Sequence, residues 1–180
     1  MPLRFSHDMK RLLIAVVFLT SCVCVLGQSK RIGTFQFVET KLGHTAKIVF
    51  KTRAFNRSRH RIVSSREGLV SRIDGRPPLG TDGGIPRIEV ESVRLYIDDK
   101  EVPVPKDLYS DCYEPSFESN ASFAAKFADN LEGVFVFMNG SDAAGSYQVL
   151  WVFRRDARHS RFSGACSDCG FIDVSSGFFR

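Results

Sequence analysis

Two cysteines near the C-terminus have the spacing of a redox or metal-binding pair. Cys166 and Cys169 are separated by two residues, and such a pair becomes a redox centre when a helix N-terminus lowers the thiol pKa. Residues 171–174, which follow the pair, instead favour a strand. A structural zinc site needs four ligands; His159 or Cys112 could contribute, but a second closely spaced ligand pair is absent from the sequence. The pattern therefore favours a structural disulfide, from Cys112 to Cys166 or Cys169, over redox or zinc chemistry.

A run of arginines in the first half of the chain is the second candidate site. Its members could bind a polyanion such as an acidic glycan, a lipid head group or a nucleic acid. Only one aromatic residue, Phe55, lies among them, so base stacking is unsupported and nucleic acid is not an expected partner. A solvated loop in an arginine-rich chain, which has 17 Arg and 8 Lys, is the preferred alternative. The polyanion-binding candidates are Arg53, Arg57, Arg59, Arg61 and Arg66.

Acidic side chains are the candidates for catalysis. They are numerous enough to include a catalytic carboxylate pair or a calcium site, but their spacing is equally that of an acidic surface. The motifs G-x-S-x-G, H-E-x-x-H and G-x-x-x-x-G-K are all absent, so no hydrolase, zinc-peptidase or phosphate-loop signature supports an enzyme. No metal or cofactor is expected. The acidic candidates are Asp98, Asp99, Glu101, Asp107, Asp111 and Glu114.

The N-terminal residues have the organisation of an export signal. Basic residues precede an apolar run, 12–19, and small or sulfur-bearing residues follow it as far as Gly27. The apolar stretch is too short and too interrupted for a good membrane span, which needs about 20 apolar residues. We therefore expect residues 1–27 to be a signal peptide and residues 28–180 to lie outside the cytosol.

The tetrapeptide Leu-Thr-Ser-Cys at 19–22 resembles the lipobox of bacterial lipoproteins. The resemblance implies cleavage before Cys22 and a diacylated cysteine as the new N-terminus, and two acyl chains hold a protein stably at a membrane. Cleavage after Gly27 would instead release the chain, and an uncleaved signal would anchor it. The protein is accordingly expected in the periplasm, on a membrane through its lipid, or outside the cell.

Charge is distributed unevenly along the chain. Residues 28–76 contain twelve Lys or Arg and three acidic residues, a local charge of +9, whereas residues 77–153 contain five and thirteen, a local charge of −8. The simplest interpretation is intramolecular, with the basic half packed beside the acidic half. Single surface pairs of this kind stabilise little, but the segregation can steer partners.

Strand-like alternation recurs after the leader. Residues 34–39 and 46–51 flank a turn and predict a hairpin, and 88–97 alternates with a change of parity near Ser92 that predicts a β-bulge. Residues 64–86 are dense in turn formers and are expected to be mainly a long loop. One or two helical turns are expected within 106–113, turns at 98–100 and 139–145, and further strands at 102–104, 122–128, 134–138, 147–153, around Phe162 and at 171–174.

Seven to nine short strands with little helix predict an all-β fold. It would be an antiparallel β-sandwich or a barrel-like sheet with at most one short helix, in a single domain over residues 28–180. The leading functional hypothesis is a non-catalytic binding or interaction module of the cell envelope, with an anionic envelope component or a protein as partner. Membrane contact is expected only through a lipid anchor. The alternatives are a small secreted hydrolase that uses acidic residues and a purely structural envelope lipoprotein.

Intact mass spectrometry of the protein isolated from its native host tests the export signal. We expect a chain that begins at Cys22 with added acyl groups or one that begins at Gln28, because both cleavage sites follow the apolar run. A mass that still includes Met1 would contradict cleavage. Thiol labelling of the same sample, with and without reduction, counts the free cysteines and tests the predicted disulfide.

Overall fold

The chain folds into antiparallel β-sheets with almost no helix. The computed structural model describes residues 32–117, 122–141 and 144–165. Within these ranges the helical segments are two single 3-10 turns, Arg57–Arg59 and Lys106–Leu108, and neither is long or apolar enough to cross a membrane. The all-β fold predicted from the sequence is confirmed.

The described part of the chain contains eleven strands. In chain order they are β1 (Gly33–Lys41), β2 (His44–Ala54), β3 (Ile62–Ser64), β4 (Val70–Ile73), β5 (Ile88–Ile97), β6 (Lys100–Val102), β7 (Pro115–Ser116), β8 (Phe123–Phe127), β9 (Gly133–Gly140), β10 (Tyr147–Arg154) and β11 (His159–Ala165). They form three sheets. The first has four strands in the order β1-β2-β5-β6, the second has five strands in the order β11-β10-β9 with β8 and β7 paired to successive parts of β9, and the third is the β3-β4 pair.

Two tight turns set the register of the first sheet. Leu42 and Gly43, at φ 50° and 81°, connect β1 to β2, and Asp98 and Asp99, at φ 49° and 62°, connect β5 to β6. Positive φ at both central residues is typical of the two-residue hairpin turn whose twist matches that of the strands. Both turns were predicted from the sequence and are confirmed.

The change of parity near Ser92 is a β-bulge. Lys51 of β2 lies opposite Ser92, but the next residue, Thr52, lies opposite Val90, so Glu91 is an extra residue in β5. The bulge lets apolar residues on both sides of it face the core. It also leaves Glu91 beside Lys51, whose Nζ lies 3.0 Å from the carboxylate.

The facing sides of the two larger sheets share one hydrophobic core, as expected for a sandwich. Phe50 of β2 packs edge-on against Phe123 of β8, with ring centroids 5.1 Å apart, and at 5.8 Å from Trp151 of β10. Trp151 is 2% exposed, and its Nε1 donates a hydrogen bond to the Leu108 carbonyl at 2.8 Å. Buried aromatic side chains contribute most per residue to such a core. The residues of β10 that face this core are Tyr147, Val149, Trp151 and Phe153.

The connection between the two sheets is held by backbone pairing and by one buried tyrosine. The Tyr113 amide donates to the Leu79 carbonyl at 3.1 Å, and the Leu79 amide donates to the Asp111 carbonyl at 2.9 Å. The Tyr147 hydroxyl donates to the Tyr113 carbonyl at 2.9 Å. Residues 109–114 are therefore fixed from two sides, which matters because Tyr113 supports the site described below.

The segment predicted to be mainly loop is more ordered than expected. Val70–Ile73 forms β4 within it and pairs with β3, whereas 74–87 contains no strand. Val70 and Ile73 are buried against Tyr113, a contact far along the chain that local turn signals do not reveal. The strand predicted at 171–174 lies outside the described residues, as does the export segment.

We expect Gly140→Ala to destabilise the sandwich. An added methyl group at Gly140 would overlap the ring of Tyr147, its cross-strand partner, which is buried on both sides. Overpacking of this kind costs about 1–3 kcal/mol of unfolding free energy. Gly164→Ala in β11 is the matched control, since no atom lies within 4 Å of its new methyl group. Urea unfolding measures both, and equal stability of the two variants would contradict the close packing at Gly140.

Candidate anion-binding hairpin and its buried ion-pair anchor

Four of the five arginines proposed from the sequence lie on one structural unit. We call residues 56–73 the arginine hairpin; it consists of the first 3-10 turn followed by β3 and β4. Arg57 and Arg59 belong to the 3-10 turn, Arg61 directly precedes β3, and Arg66 lies in the turn between the two strands. Arg53 differs, because it belongs to β2 and is part of the first sheet.

Local hydrogen bonds define the shape of the arginine hairpin. The Asn56 side chain accepts a hydrogen bond from the Ser58 amide at 3.1 Å and so caps the 3-10 turn, as asparagine commonly does. The turn between β3 and β4 is closed by the Ser65 amide, which donates to the Leu69 carbonyl at 2.7 Å. Gly68, at φ 82°, supplies the left-handed backbone that this turn requires.

An apolar underside fixes the arginine hairpin to the rest of the domain. Val70 and Ile73 are buried with Tyr113 in a second, smaller hydrophobic cluster, and Phe55 and Ile62 pack against it. The Phe55 and Tyr113 rings meet edge to face with centroids 5.7 Å apart. The hairpin therefore presents one face to the domain and leaves its arginines on the outside.

Beneath the hairpin lies a partly buried group of ionisable side chains, which we call the His60 cluster: Arg53, His60, Asp74 and Glu89. Glu89 is its buried member, 5% exposed, and Arg53 Nε donates to its Oε1 at 2.6 Å. His60 Nδ1 lies 2.7 Å from Asp74 Oδ2. Its Nε2 lies 2.9 Å from Glu89 Oε2, within ion-pair distance although not aligned as a hydrogen bond. A single imidazole thus links two carboxylates from different parts of the chain.

Ring packing holds the His60 imidazole in place, and neighbouring charges shift the pKa values of Asp74 and Tyr113. The His60 ring stacks on Phe55 with centroids 4.5 Å apart. Partial desolvation alone would raise the pKa of Asp74, but hydrogen bonds from His60 and from the Arg61 amide outweigh it and lower that pKa. Burial, together with the carboxylates of Asp74 and Glu89, raises the pKa of Tyr113. Tyr113 therefore stays a neutral, packed phenol and supports the hairpin rather than acting as a base.

The structure separates the arginine candidates into paired and unpaired groups. Arg53 forms an ion pair with Glu89, and its Nη1 also lies 3.8 Å from Glu91 Oε1. By contrast, no carboxylate within the described ranges forms an ion pair with the other four candidates, all of which are exposed. Residues 57–72 carry five arginines and one glutamate. An exposed surface of net charge +4 thus remains after internal pairing.

Three of the six acidic candidates are held by hydrogen bonds or ion pairs, and the other three, Asp99, Glu101 and Asp107, are exposed. Asp98 accepts a hydrogen bond from the Thr45 amide and lies 2.8 Å from His44 Nδ1, contacts that lower its pKa. Asp111 accepts two hydrogen bonds from Arg161 Nη1, at 2.7 and 2.9 Å. Glu114 accepts from two backbone amides at the start of β5. Within residues 32–117, 122–141 and 144–165, no group of three or more metal-ligating side chains is assembled.

The cysteine candidates are only partly placed. Cys112 forms no disulfide within the described residues; it is 1% exposed, and burial raises the pKa of its thiol. Cys22, Cys166 and Cys169 lie outside the described residues. The disulfide and the lipidation therefore stay predictions.

Comparison of the chain with protein-family models, curated proteins and solved structures found no match. The site must therefore be interpreted from its own geometry. Sequence reasoning missed Asp74 and Glu89, the two carboxylates that hold His60. The available signal was the segregation of charge: Glu89 lies in the acidic half, and its neighbours Arg53 and His60 lie in the basic half.

We expect Arg53→Gln and Arg57→Gln to differ in stability although both remove one arginine. Arg53→Gln removes the cation from a buried carboxylate, which costs about 1–3 kcal/mol of unfolding free energy. Arg57 is exposed and unpaired among the described residues, so its replacement should change stability by less than about 0.5 kcal/mol. Urea unfolding at neutral pH measures both. Equal values would mean that the Glu89 pair does not anchor the hairpin.

Proposed function

We propose that this protein is a non-catalytic binding module of the cell envelope and that its arginine hairpin binds an anionic envelope component. One observation carries the proposal: Arg57, Arg59, Arg61 and Arg66 are exposed without carboxylate partners in the described part of the chain, on a hairpin anchored from below. Charges left over after internal pairing are available to an external anion. Ligand-binding residues on a loop positioned by a rigid sheet are a common arrangement.

The proposed location supports this partner. The basic leader, the apolar run and the lipobox-like tetrapeptide ending at Cys22 are the features on which we propose export, either with a lipid anchor or as a secreted chain. Envelope surfaces outside the cytosol carry phosphate and carboxylate groups. A guanidinium group binds such anions with two parallel hydrogen bonds, which favours arginine over lysine for this role.

The hydrolase alternative has less support. A carboxylate that acts as a general acid at neutral pH needs a raised pKa, usually from burial or from a neighbouring carboxylate. Asp98 has a lowered pKa, Asp111 is paired with Arg161, and Glu114 accepts backbone amides. A purely structural envelope lipoprotein would share the fold and the proposed anchor, but it would leave the unpaired arginines without a role.

Chromatography of the full chain on heparin-agarose, a general polyanion, tests the proposed function. We expect the protein to bind the column at low salt and to elute at a moderate salt concentration, because ion pairing with a polyanion weakens as salt rises. Changing the four unpaired arginines of the hairpin to glutamine should move elution to markedly lower salt. Retention unchanged by this quadruple variant would show that the arginine hairpin is not the binding surface.

A second quadruple variant controls for the loss of net charge. It removes four exposed cations from β5, the β5–β6 hairpin, β8 and β10, and should elute close to the wild type if position rather than total charge decides binding. If its elution salt concentration falls as far as that of the hairpin variant, binding depends on net charge alone and not on the arginine hairpin. The control substitutions to glutamine are at Arg94, Lys100, Lys126 and Arg154.

A further inference from the structure

Exposed apolar side chains accompany the arginines of the hairpin. Leu69 is 50% exposed and Val63 is 40% exposed, and Ile85, in the loop that follows, is 44% exposed. Single exposed apolar residues are ordinary on protein surfaces, but a group beside a charged patch marks an interaction site. These three residues account for nearly half of the large exposed apolar side chains in the described part of the chain, which otherwise are Ile32, Val38, Leu42 and Phe162.

Backbone contacts bring Leu69 and the segment around Ile85 together. The Val70 amide donates to the Gly83 carbonyl at 2.7 Å. A methyl group added to Gly83 would lie 3.0 Å from Leu69 Cδ2, so the two chain segments touch at this point. We call Leu69 and Ile85 the apolar tip. Arg66 belongs to the same closed turn as Leu69, so the apolar tip adjoins the basic surface.

We propose that the arginine hairpin docks on an anionic phospholipid surface, with Leu69 and Ile85 entering the membrane interface while the unpaired arginines bind lipid phosphates. The inference rests on the proposed function and names its ligand. It goes beyond attachment through a lipid at Cys22, because the folded domain itself makes the contact. Basic residues surrounding apolar ones are the general composition of surfaces that lie in the membrane interface.

The apolar tip favours a membrane over a soluble polyanion. A polysaccharide or a nucleic acid offers phosphate, sulfate or carboxylate groups to arginine, but no hydrocarbon in which Leu69 and Ile85 would be buried. Base stacking also lacks a platform, because the nearest aromatic ring, Phe55, is packed between His60 and Tyr113. An anionic bilayer satisfies both the charged and the apolar part of the surface.

The anchor beneath the hairpin favours docking as a rigid body. The His60 cluster and the small apolar cluster hold the two ends of the hairpin, so its arginines need little further ordering when they bind. Pre-organisation lowers the entropic cost of association. Lipid phosphates would therefore meet a surface that is already formed.

Tryptophan fluorescence tests insertion of the tip in the full chain. Trp151 is the only native tryptophan and is buried, so a new tryptophan at an exposed site dominates the response to lipid. We choose Leu69→Trp and Ile85→Trp as probes. Leu42→Trp is the matched control, because Leu42 is 80% exposed but lies before β2, whereas the arginine hairpin follows the other end of that strand. Every variant carries the same N-terminal segment, so that segment contributes equally.

The probe is a vesicle of phosphatidylglycerol and phosphatidylcholine, with phosphatidylcholine alone for comparison. We expect the emission of both tip tryptophans to shift to the blue and to be quenched by brominated lipid on the anionic vesicles only, and the control tryptophan to be unaffected. Changing Arg57, Arg59, Arg61 and Arg66 to glutamine in the Leu69→Trp chain should raise the lipid concentration for half-quenching at least about tenfold.

Other results would overturn the inference. Equal quenching at Leu42→Trp, equal quenching on uncharged vesicles, or no quenching at either tip position would each exclude docking through the tip. Heparin-agarose then separates the two proposals. Retention that depends on the arginine hairpin, without quenching, would leave polyanion binding standing and reject the membrane; loss of both would reject the proposed function as well.

Discussion

The buried carboxylate of Glu89 is the constraint on which the arrangement of this site depends. A carboxylate removed from water must be compensated by a cation or by hydrogen bonds, because its desolvation is otherwise too costly. Here Arg53 reaches one carboxylate oxygen from the neighbouring strand, and His60 Nε2 lies 2.9 Å from the other oxygen. His60 in turn contacts Asp74, at the far end of the arginine hairpin. Compensation of one buried charge thus ties a projecting hairpin to the first sheet.

This compensation divides the basic half of the chain into two parts. One part contacts the acidic half: Lys41 and Lys51 form ion pairs with residues of the acidic segment, and His44 contacts Asp98 there, as the segregation of charge predicted. The other part, on the arginine hairpin, projects away from the sheets and stays unpaired among the described residues. A formal charge of +5 for the chain therefore understates the local charge of this surface. Local excess charge, rather than net charge, is what an anionic partner meets.

Much of the fold could be predicted from local patterns. The first hairpin, the bulge in β5 and the strand of Tyr147, Val149 and Trp151 all follow from alternation with a period of two, which each strand shows without reference to its neighbours. The short strand β4 was not predicted, because only four residues form it and its buried side chains contact Tyr113, which is distant in sequence. The arginines were identified as candidates, but the sequence alone gave no reason to treat Arg53 differently from Arg57.

The sequence by itself determined the class of fold, the principal strands and the candidate arginines, since these depend on residue type and on spacing along a strand. It also supplied the expectation of export, which rests on the leader alone. Only the tertiary structure decided which arginines are paired. Arg53 and Glu89 are 36 positions apart, and they meet because β2 and β5 pair across a bulge. An ion pair depends on distance in space, and that distance is set by strand register and packing rather than by the order of residues.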